Sequence, residues 1–458
     1  MMKKIILIFL ISVNSVLSQY ADNPKSLSMG RTSVANSFQL DALNNNPANL
    51  VLNSQYDKSN YYFTLFTSAG FMVNSDFLSA DFYNKYFSGN DGEPLLLSNS
   101  DKEDILSKAG NTSTGFKGNF KFFSLLIRDK NVGTFALSFE DKISGLSFLP
   151  KDALDVALYG NKKNSSYDYS EFDLDASWIR QLNISYAKEL PDLFKSFLEN
   201  FSFGVSVKPQ FGYYNFGVES NNLIINTDDS SKIKADGLLR LRSSRIGTDN
   251  SKITFPEFGD LAGFGMGFDV GFNLKFSNKV NVGLSVTDIG WVNWYKTPKE
   301  YLYKGDFLIT DLANSEQYDQ LLNLIEGTET SIPNYKKSLP TTLRVGVNYK
   351  IYDPIFYKNS TERANITAEY YQGLVDNVAG VSTTPLFFLG GEYLLSNYFI
   401  PRTGIVLGNS ENLALSLGFG LITDYVIFDF GTHNILSVFN INKSSKNSVA
   451  FSLKFKFD

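Results

Sequence analysis

The chain has 458 residues, 43% of them hydrophobic, 15% aromatic and only 19% charged, with a formal charge of −5. That balance excludes the basic stripe of a nucleic-acid binder, so no nucleic-acid partner is expected. Zero cysteines exclude disulfides, thiolate nucleophiles and Cys-ligated metals, and a single histidine excludes a paired-histidine metal motif; no metal and no cofactor are expected.

Residues 1–18 read as a signal peptide. Lys3 and Lys4 precede an apolar run from Ile5 to Val13, and Val16-Leu17-Ser18 offers a cleavage site before Gln19. The run is too short to cross a membrane, which takes about 20 residues. Export follows, and the loss of Lys3 and Lys4 takes the charge from −5 to −7. Residues 19–59 show no regular period. They include Leu27-Ser28-Met29-Gly30 and an Asn-rich stretch that ends in Asn46-Pro47-Ala48. Proline lacks an N–H, and asparagine side chains can satisfy free backbone groups, so this segment suits an irregular plug or an ordinary turn before the first strand.

From residue 60 to 458 the pattern becomes two-residue alternation. Strands are expected near 60–73, 115–127, 132–148, 177–189, 201–211 and 263–276, then near 280–291, 341–351, 363–372, 384–395, 398–407, 413–421, 424–432 and 447–457. The clearest runs from Phe264 to Phe276: Phe264, Met266, Phe268, Val270, Phe272 and Leu274 take one side, and Gly265, Gly267, Asp269, Gly271, Asn273 and Lys275 the other. A soluble sandwich buries one such face with strands of five or six residues, whereas a membrane barrel turns it to lipid with about 9–11. Runs of this length in an exported chain predict an all-β fold, a transmembrane antiparallel β-barrel of about 14 strands. An even count puts both ends on the periplasmic side. Ser277-Asn278-Lys279 and Ser396-Asn397 then become short inner turns, and 212–262 and 292–340 long extracellular loops. One connection differs: Leu190, Leu193, Phe194, Phe197 and Leu198 follow helical spacing, which predicts a short helix at the rim.

Leu27-Ser28-Met29-Gly30 followed by Asn46-Pro47-Ala48, with the chain length, the strand count and a last strand ending in Phe457, resembles the outer-membrane barrels of the long-chain fatty-acid transporter (FadL-like) superfamily. Gly265, Gly267 and Gly271 with Asp269, and Asp288-Ile289-Gly290-Trp291 beyond them, resemble its secretion-associated, PorV-like branch. The resemblance implies a bacterial outer-membrane location and an N-terminal hatch (19–59) folded into the lumen, with Asn46, Pro47 and Ala48 as gate candidates. Two positions depart from the pattern: Arg31 stands where a small residue is common, and Asp458 follows the terminal aromatic.

No catalytic site is expected. His433, near Ser437, reads as a solvated loop histidine; Asp228-Asp229 and Asp101 with Glu103 and Asp104 read as solvated loop acids without calcium-loop spacing; Arg240, Arg242 and Arg245 read as isolated. Asp269, Asn273, Lys275 and Arg344 are the luminal polar candidates. The leading expectation is a non-enzymatic barrel surrounded by outer-membrane lipid that passes or holds a small hydrophobic molecule. The alternative is an accessory or scaffold barrel with envelope protein partners in a secretion or barrel-assembly complex.

Overall fold

The computed structural model describes residues 23–53, 59–75, 77–88, 96–245, 259–304, 307–309, 327–353, 361–376, 378–379, 381, 383–408, 411–435 and 444–458; the expected signal peptide lies outside them. Fourteen strands form the wall: β1 (Tyr61–Ser75), β2 (Thr112–Asp129), β3 (Gly133–Leu149), β4 (Asp173–Glu189), β5 (Asn200–Asn221), β6 (Gly263–Lys275), β7 (Val280–Trp294), β8 (Thr342–Asp353), β9 (Thr361–Gly373), β10 (Leu386–Tyr393), β11 (Phe399–Gly408), β12 (Glu411–Ile422), β13 (Val426–Thr432) and β14 (Lys446–Phe457). Each pairs antiparallel with its chain neighbours, and β1 pairs with both β2 and β14. The sheet is a closed barrel with no edge, so every strand has a partner on both sides, as hydrocarbon demands. Among the described residues no helix is long and apolar enough to cross a membrane.

Alternation decides what each face meets. On β6 the exposed Phe264, Phe268 and Val270 point outward, while Asp269 and Asn273 are buried inside. The same division holds on β8 and β14, where Val345, Val347, Val449 and Phe451 are exposed and Arg344, Asn348, Ser452 and Lys454 are buried. An apolar exterior around a polar interior is the arrangement of a transmembrane barrel.

All fourteen expected strands are present. The short connections 130–132, 276–279, 394–398 and 423–425 share one end of the barrel, and the long ones share the other. Several strands outrun the expectation; at the long-loop end β4 starts at Asp173, β5 continues to Asn221 and β7 to Trp294. In the last two the alternation breaks at bulges, Tyr213 on β5 and Asp288 on β7, so the period-two signal fades before the strand does. The long loops are also structured. Leu238–Ser244 pairs with β5 and Lys299–Lys304, and Tyr335–Ser338 extends the wall beside β7. Ser165–Asp168, Ile224–Thr227, Ile233–Asp236 and Phe307–Ile309 make a separate four-stranded sheet.

The expected helix at 190–198 is a turn instead. Phe194 adopts a left-handed φ of 63°, which no helix accommodates, and the five apolar residues divide: Leu198 is buried while Leu193, Phe194 and Phe197 are exposed.

Residues 23–52 fill the lumen. A one-turn helix, α1 (Pro24–Ser28), starts at Asn23, whose side chain accepts from the Lys25 and Ser26 amides, with proline at its first turn. The 3-10 turn Pro47–Val51 starts the same way: Asn46 Oδ1 accepts the Ala48 amide. The wall meets this segment through glycine. A Cβ on Gly271 would lie 2.0 Å from Asn46 Oδ1, on Gly204 2.3 Å from the Pro47 carbonyl carbon, on Gly283 2.0 Å from Val34 O and on Gly404 2.2 Å from the Met29 carbonyl carbon. Small inward residues on these strands are therefore a seat for hatch backbone.

Candidate functional site

The hatch and the wall around it form layers that can be followed along single strands. Inward positions on β11 run Ile400, Arg402, Gly404, Val406 from the short-turn end outward; those on β10 run Glu392, Gly390, Phe388, Leu386, with Leu394 just below. An apolar layer lies lowest, a charged layer next, the glycine seat above it, and a second apolar cluster at the mouth.

The lowest layer is a gasket. Hatch residues Leu40, Leu43, Leu50 and Val51 pack against Tyr62, Leu126, Ile400, Ile422 and Ile427, one inward residue from the short-turn end of each of several strands. Arg128 ties off the segment end, donating through Nη2 to the Leu50 and Leu52 carbonyls, 3.2 Å each.

One rung outward the interior becomes ionic. Lys25 of α1 reaches Glu392 Oε1 at 2.9 Å, Arg402 Nε donates to Glu392 Oε2 at 2.9 Å and pairs on its other side with Asp429, and Lys454 joins Asp429 at 2.9 Å to the hatch carboxylate Asp41. All six side chains are buried. A second group lies beside it on β8 and β9, where Glu369 Oε2 accepts the Ser33 and Val34 amides at 2.6 and 2.9 Å while Arg344 pairs with its other oxygen. In a third, Glu140 accepts from Asn44, Asn119 and Gln181. Lys208 bridges Asp269 at 2.6 Å and Asp288 at 2.8 Å across β5, β6 and β7. Buried charges survive only when paired and hydrogen-bonded in this way.

The outer apolar cluster joins Tyr371, Leu386, Phe388 and Val406 to Val378 and Val381 of the β9–β10 loop. That loop crosses the mouth: the Ala379 amide donates to Asp175 on β4 at 2.6 Å, and Asp175 also pairs with Lys337 at 2.6 Å.

Asn46, Pro47 and Ala48 sit inside the barrel, Asn46 donating to the carbonyls of Val34 at 2.8 Å and Phe272 at 3.0 Å. Asp269, Asn273 and Arg344 are luminal, and Asn273 donates to the hatch through Asn49 Oδ1 at 3.0 Å. Lys275 shares their face but stands at the strand end, 38% exposed and paired with Glu199 at 3.1 Å. The decisive partners Lys25, Asp41, Glu392, Arg402, Asp429 and Lys454 went unread in the sequence, although an inward charge amid alternating apolar residues on β13 and β14 was a usable signal.

The wall has one marked irregularity beside the hatch. Residues 64–67 of β1 oppose only 453 and 454 of β14, and Phe66 adopts φ 52° with its ring exposed outside. Behind the bulge a polar cavity of about 10 Å³ touches Asn23, Asp41, Thr64, Lys121 and Ser452, roughly the room one water needs. On the same side, Asp141 and Arg180 occupy lipid-facing positions of β3 and β4, among the described residues the charged pair away from the strand ends. Arg180 donates to Asp141 Oδ1 at 2.6 Å, to Oδ2 at 2.9 Å and to Tyr213 Oη at 3.0 Å, and its guanidinium lies 4.9 Å from the Phe122 ring. An unpaired arginine on a lipid face costs about 2–4 kcal/mol at the midplane, which the bidentate pair and the rings offset.

The residues set aside for chemistry behave structurally. His433 is not solvated: it is buried, with Nδ1 3.1 Å from Ser416 Oγ, and the same hydroxyl donates to the His433 carbonyl at 3.1 Å. The pair stitches the end of β13 to β12, because the alternation that turns Ser416 inward brings the histidine after β13 in beside it. Ser437 lies outside the described residues. Asp101, Glu103 and Asp104 sit on helix α2 (Asn99–Ala109) in the long β1–β2 connection, where Asp101 and Ser98 form a capping box. The Lys108 ammonium at 2.8 Å and the Tyr86 hydroxyl hold the Asp104 carboxyl below the usual range. Asp228 accepts the Lys232 amide at 2.8 Å in a turn. Arg240 and Arg242 share Glu300, and Arg245 pairs with Asp260, so none of the three is isolated. No cluster of potential metal ligands occurs among the described residues.

A closed fourteen-stranded barrel with an apolar exterior and a polar lumen occupied by its own N-terminal segment defines a plugged outer-membrane-type β-barrel. The chain belongs to the family of unknown function DUF5723, whose model matches residues 54–409. No curated protein matches it in sequence. Among solved structures it is similar to a FadL homologue of Pseudomonas aeruginosa (12% identity, TM-score 0.48, covering 97% of this chain and 100% of that one). It is also similar to the toluene transporters TbuX of Ralstonia pickettii (11%, 0.47, 97% and 100%) and TodX of Pseudomonas putida (10%, 0.45, 96% and 98%). At such identities and TM-scores no ligand or mechanism carries over.

Proposed function

We propose that the protein is a non-enzymatic outer-membrane barrel that holds a small hydrophobic molecule at its mouth and admits it past the hatch. The observation that carries this reading is the layering on β10 and β11. Both sides of the charged layer are apolar, with Phe388, Leu386 and Val406 above and Leu394 and Ile400 below. Small-molecule sites are concave and mainly apolar with a few placed polar groups. Passage then requires the hatch to yield at its contacts with β10–β14, with Asn46, Pro47 and Ala48 as the stationary end held on β5 and β6.

A second reading is favoured by the charged layer itself. An interior knit by Lys25, Arg402 and Lys454 suits a sealed scaffold that anchors envelope partners. Native mass spectrometry of gently extracted protein separates the two. A stoichiometric apolar small molecule without a protein partner is the expected result. A defined complex with envelope proteins and no small ligand would overturn passage in favour of the scaffold.

A further inference from the structure

The turn from Leu190 to Glu199 is the feature the proposed passage leaves unused. It joins β4 to β5 with ten residues, where the other described short turns take three to five. Leu193, Phe194 and Phe197 are exposed on it, and Phe197 is 58% exposed. A phenylalanine at φ 63° is an unfavoured backbone for a bulky side chain, kept only where its placement is over-determined.

That placement leads to the outer wall. The Phe194 ring meets Phe201 edge-on at 5.4 Å and Phe197 at 5.7 Å, and Phe201 stacks on Phe272 at 6.1 Å. Phe201 and Phe272 occupy lipid-facing positions of β5 and β6, so the turn's apolar patch continues the lipid-facing surface beyond the last strand rung. Asp192 and Lys195 pair with each other at 3.2 Å, and both are well exposed to water. Leu198 folds back into the protein, anchoring the turn at its far end.

We propose that this turn is a membrane foot: Leu193, Phe194 and Phe197 insert into the headgroup–acyl boundary of the phospholipid leaflet on the short-turn side. Phe and Leu side chains bury at that boundary, and barrels carry aromatic residues there; continuity with the wall through Phe201 names phospholipid as the occupant. The inference rests on the barrel spanning a membrane, and not on any cargo.

The chain contains no cysteine, so single-cysteine variants can be spin-labelled without background. Phe197→Cys and Leu193→Cys, in full-length protein reconstituted in phosphatidylethanolamine–phosphatidylglycerol vesicles, report the foot. Val347→Cys on the lipid face of β8 and Asn131→Cys in the β2–β3 turn are the lipid and water references. The expected result is that both foot labels collide with oxygen several-fold more than with a water-soluble nickel chelate, as Val347→Cys does, while Asn131→Cys shows the reverse. Foot labels that follow Asn131→Cys while Val347→Cys stays lipid-accessible would overturn the foot and leave the barrel standing. A water-accessible Val347→Cys would overturn the spanning reading. Foot labels open in vesicles but shielded from both quenchers in native membranes would mean that a protein covers the patch, which overturns the lipid assignment.

Discussion

The charged layer and the gasket beneath it lie one rung apart on the same strands, yet they hold the hatch by opposite physics. In the charged layer, Lys25, Glu392, Arg402, Asp429, Lys454 and Asp41 form a chain in which each group depends on the next. In the gasket, Leu40, Leu43, Leu50 and Val51 meet apolar wall residues with no directional bond. The first is specific and brittle, because removing one partner strands another charge in a dry place. The second is forgiving, because an apolar contact can reseal around a neighbour. A hatch built this way has a defined register and a surface along which it can yield.

Four substitutions or conditions probe that difference. Arg402→Met should have the largest effect, about 3–5 kcal/mol, by leaving Glu392 and Asp429 without their shared cation; the denaturation midpoint in detergent reads it, and an unchanged midpoint would show that the layer bears no load. Leu50→Ala should cost about 2–5 kcal/mol as a buried cavity. It should also raise entry of an apolar dye into proteoliposomes more than entry of potassium; equal increases would mean that the gasket is no selective element. Gly404→Ala should cost about 1–3 kcal/mol by pressing a methyl on the Met29–Gly30 peptide, seen as a lower melting temperature with hatch residues gaining hydrogen exchange. The smallest effect lies outside the lumen. The Ser98 hydroxyl and amide hold Asp101 below its ordinary pKa of 3.8. A depressed folded value means that the cap's full stabilisation of α2 is present above about pH 4 and is lost as the pH falls from there through the lower folded value. Protection of the Asp101 and Lys102 amides, relative to their intrinsic exchange at the same pH, should fall there, leaving the barrel intact.

Much of the wall was legible because lipid outside and a filled lumen inside impose a period of two, so Phe264 to Leu274 disclosed both faces of β6 at once. The upper ends of β5 and β7 were not, since the bulges at Tyr213 and Asp288 shift the phase where no membrane enforces it. Leu190 to Leu198 misled for a related reason: helical spacing arises equally when Phe194 and Phe197 face one surroundings and Leu198 another. Asn46-Pro47-Ala48 stood out as irregular, and it does occupy the lumen. Its seat on Gly271 and Gly204 could not be read, because closure brings together residues more than 150 positions apart. Lys25 and Glu392, separated by 367 positions, are the same problem in ionic form.

The glycine seat also constrains biogenesis. The hatch touches β5 to β8 and β10 to β13 so closely that a methyl group on most of those glycines would collide with its backbone. Among the described residues, that fit holds the folded segment from strands on both sides of the lumen. The N-terminal strand and the C-terminal strand, β1 and β14, are the two that meet last in chain order. Assembly therefore favours a mandrel: the first-made segment folds as the sheet curls about it, and the joining of β14 to β1 locks it in place. A chain lacking residues 23–52 would lose its former together with its stopper.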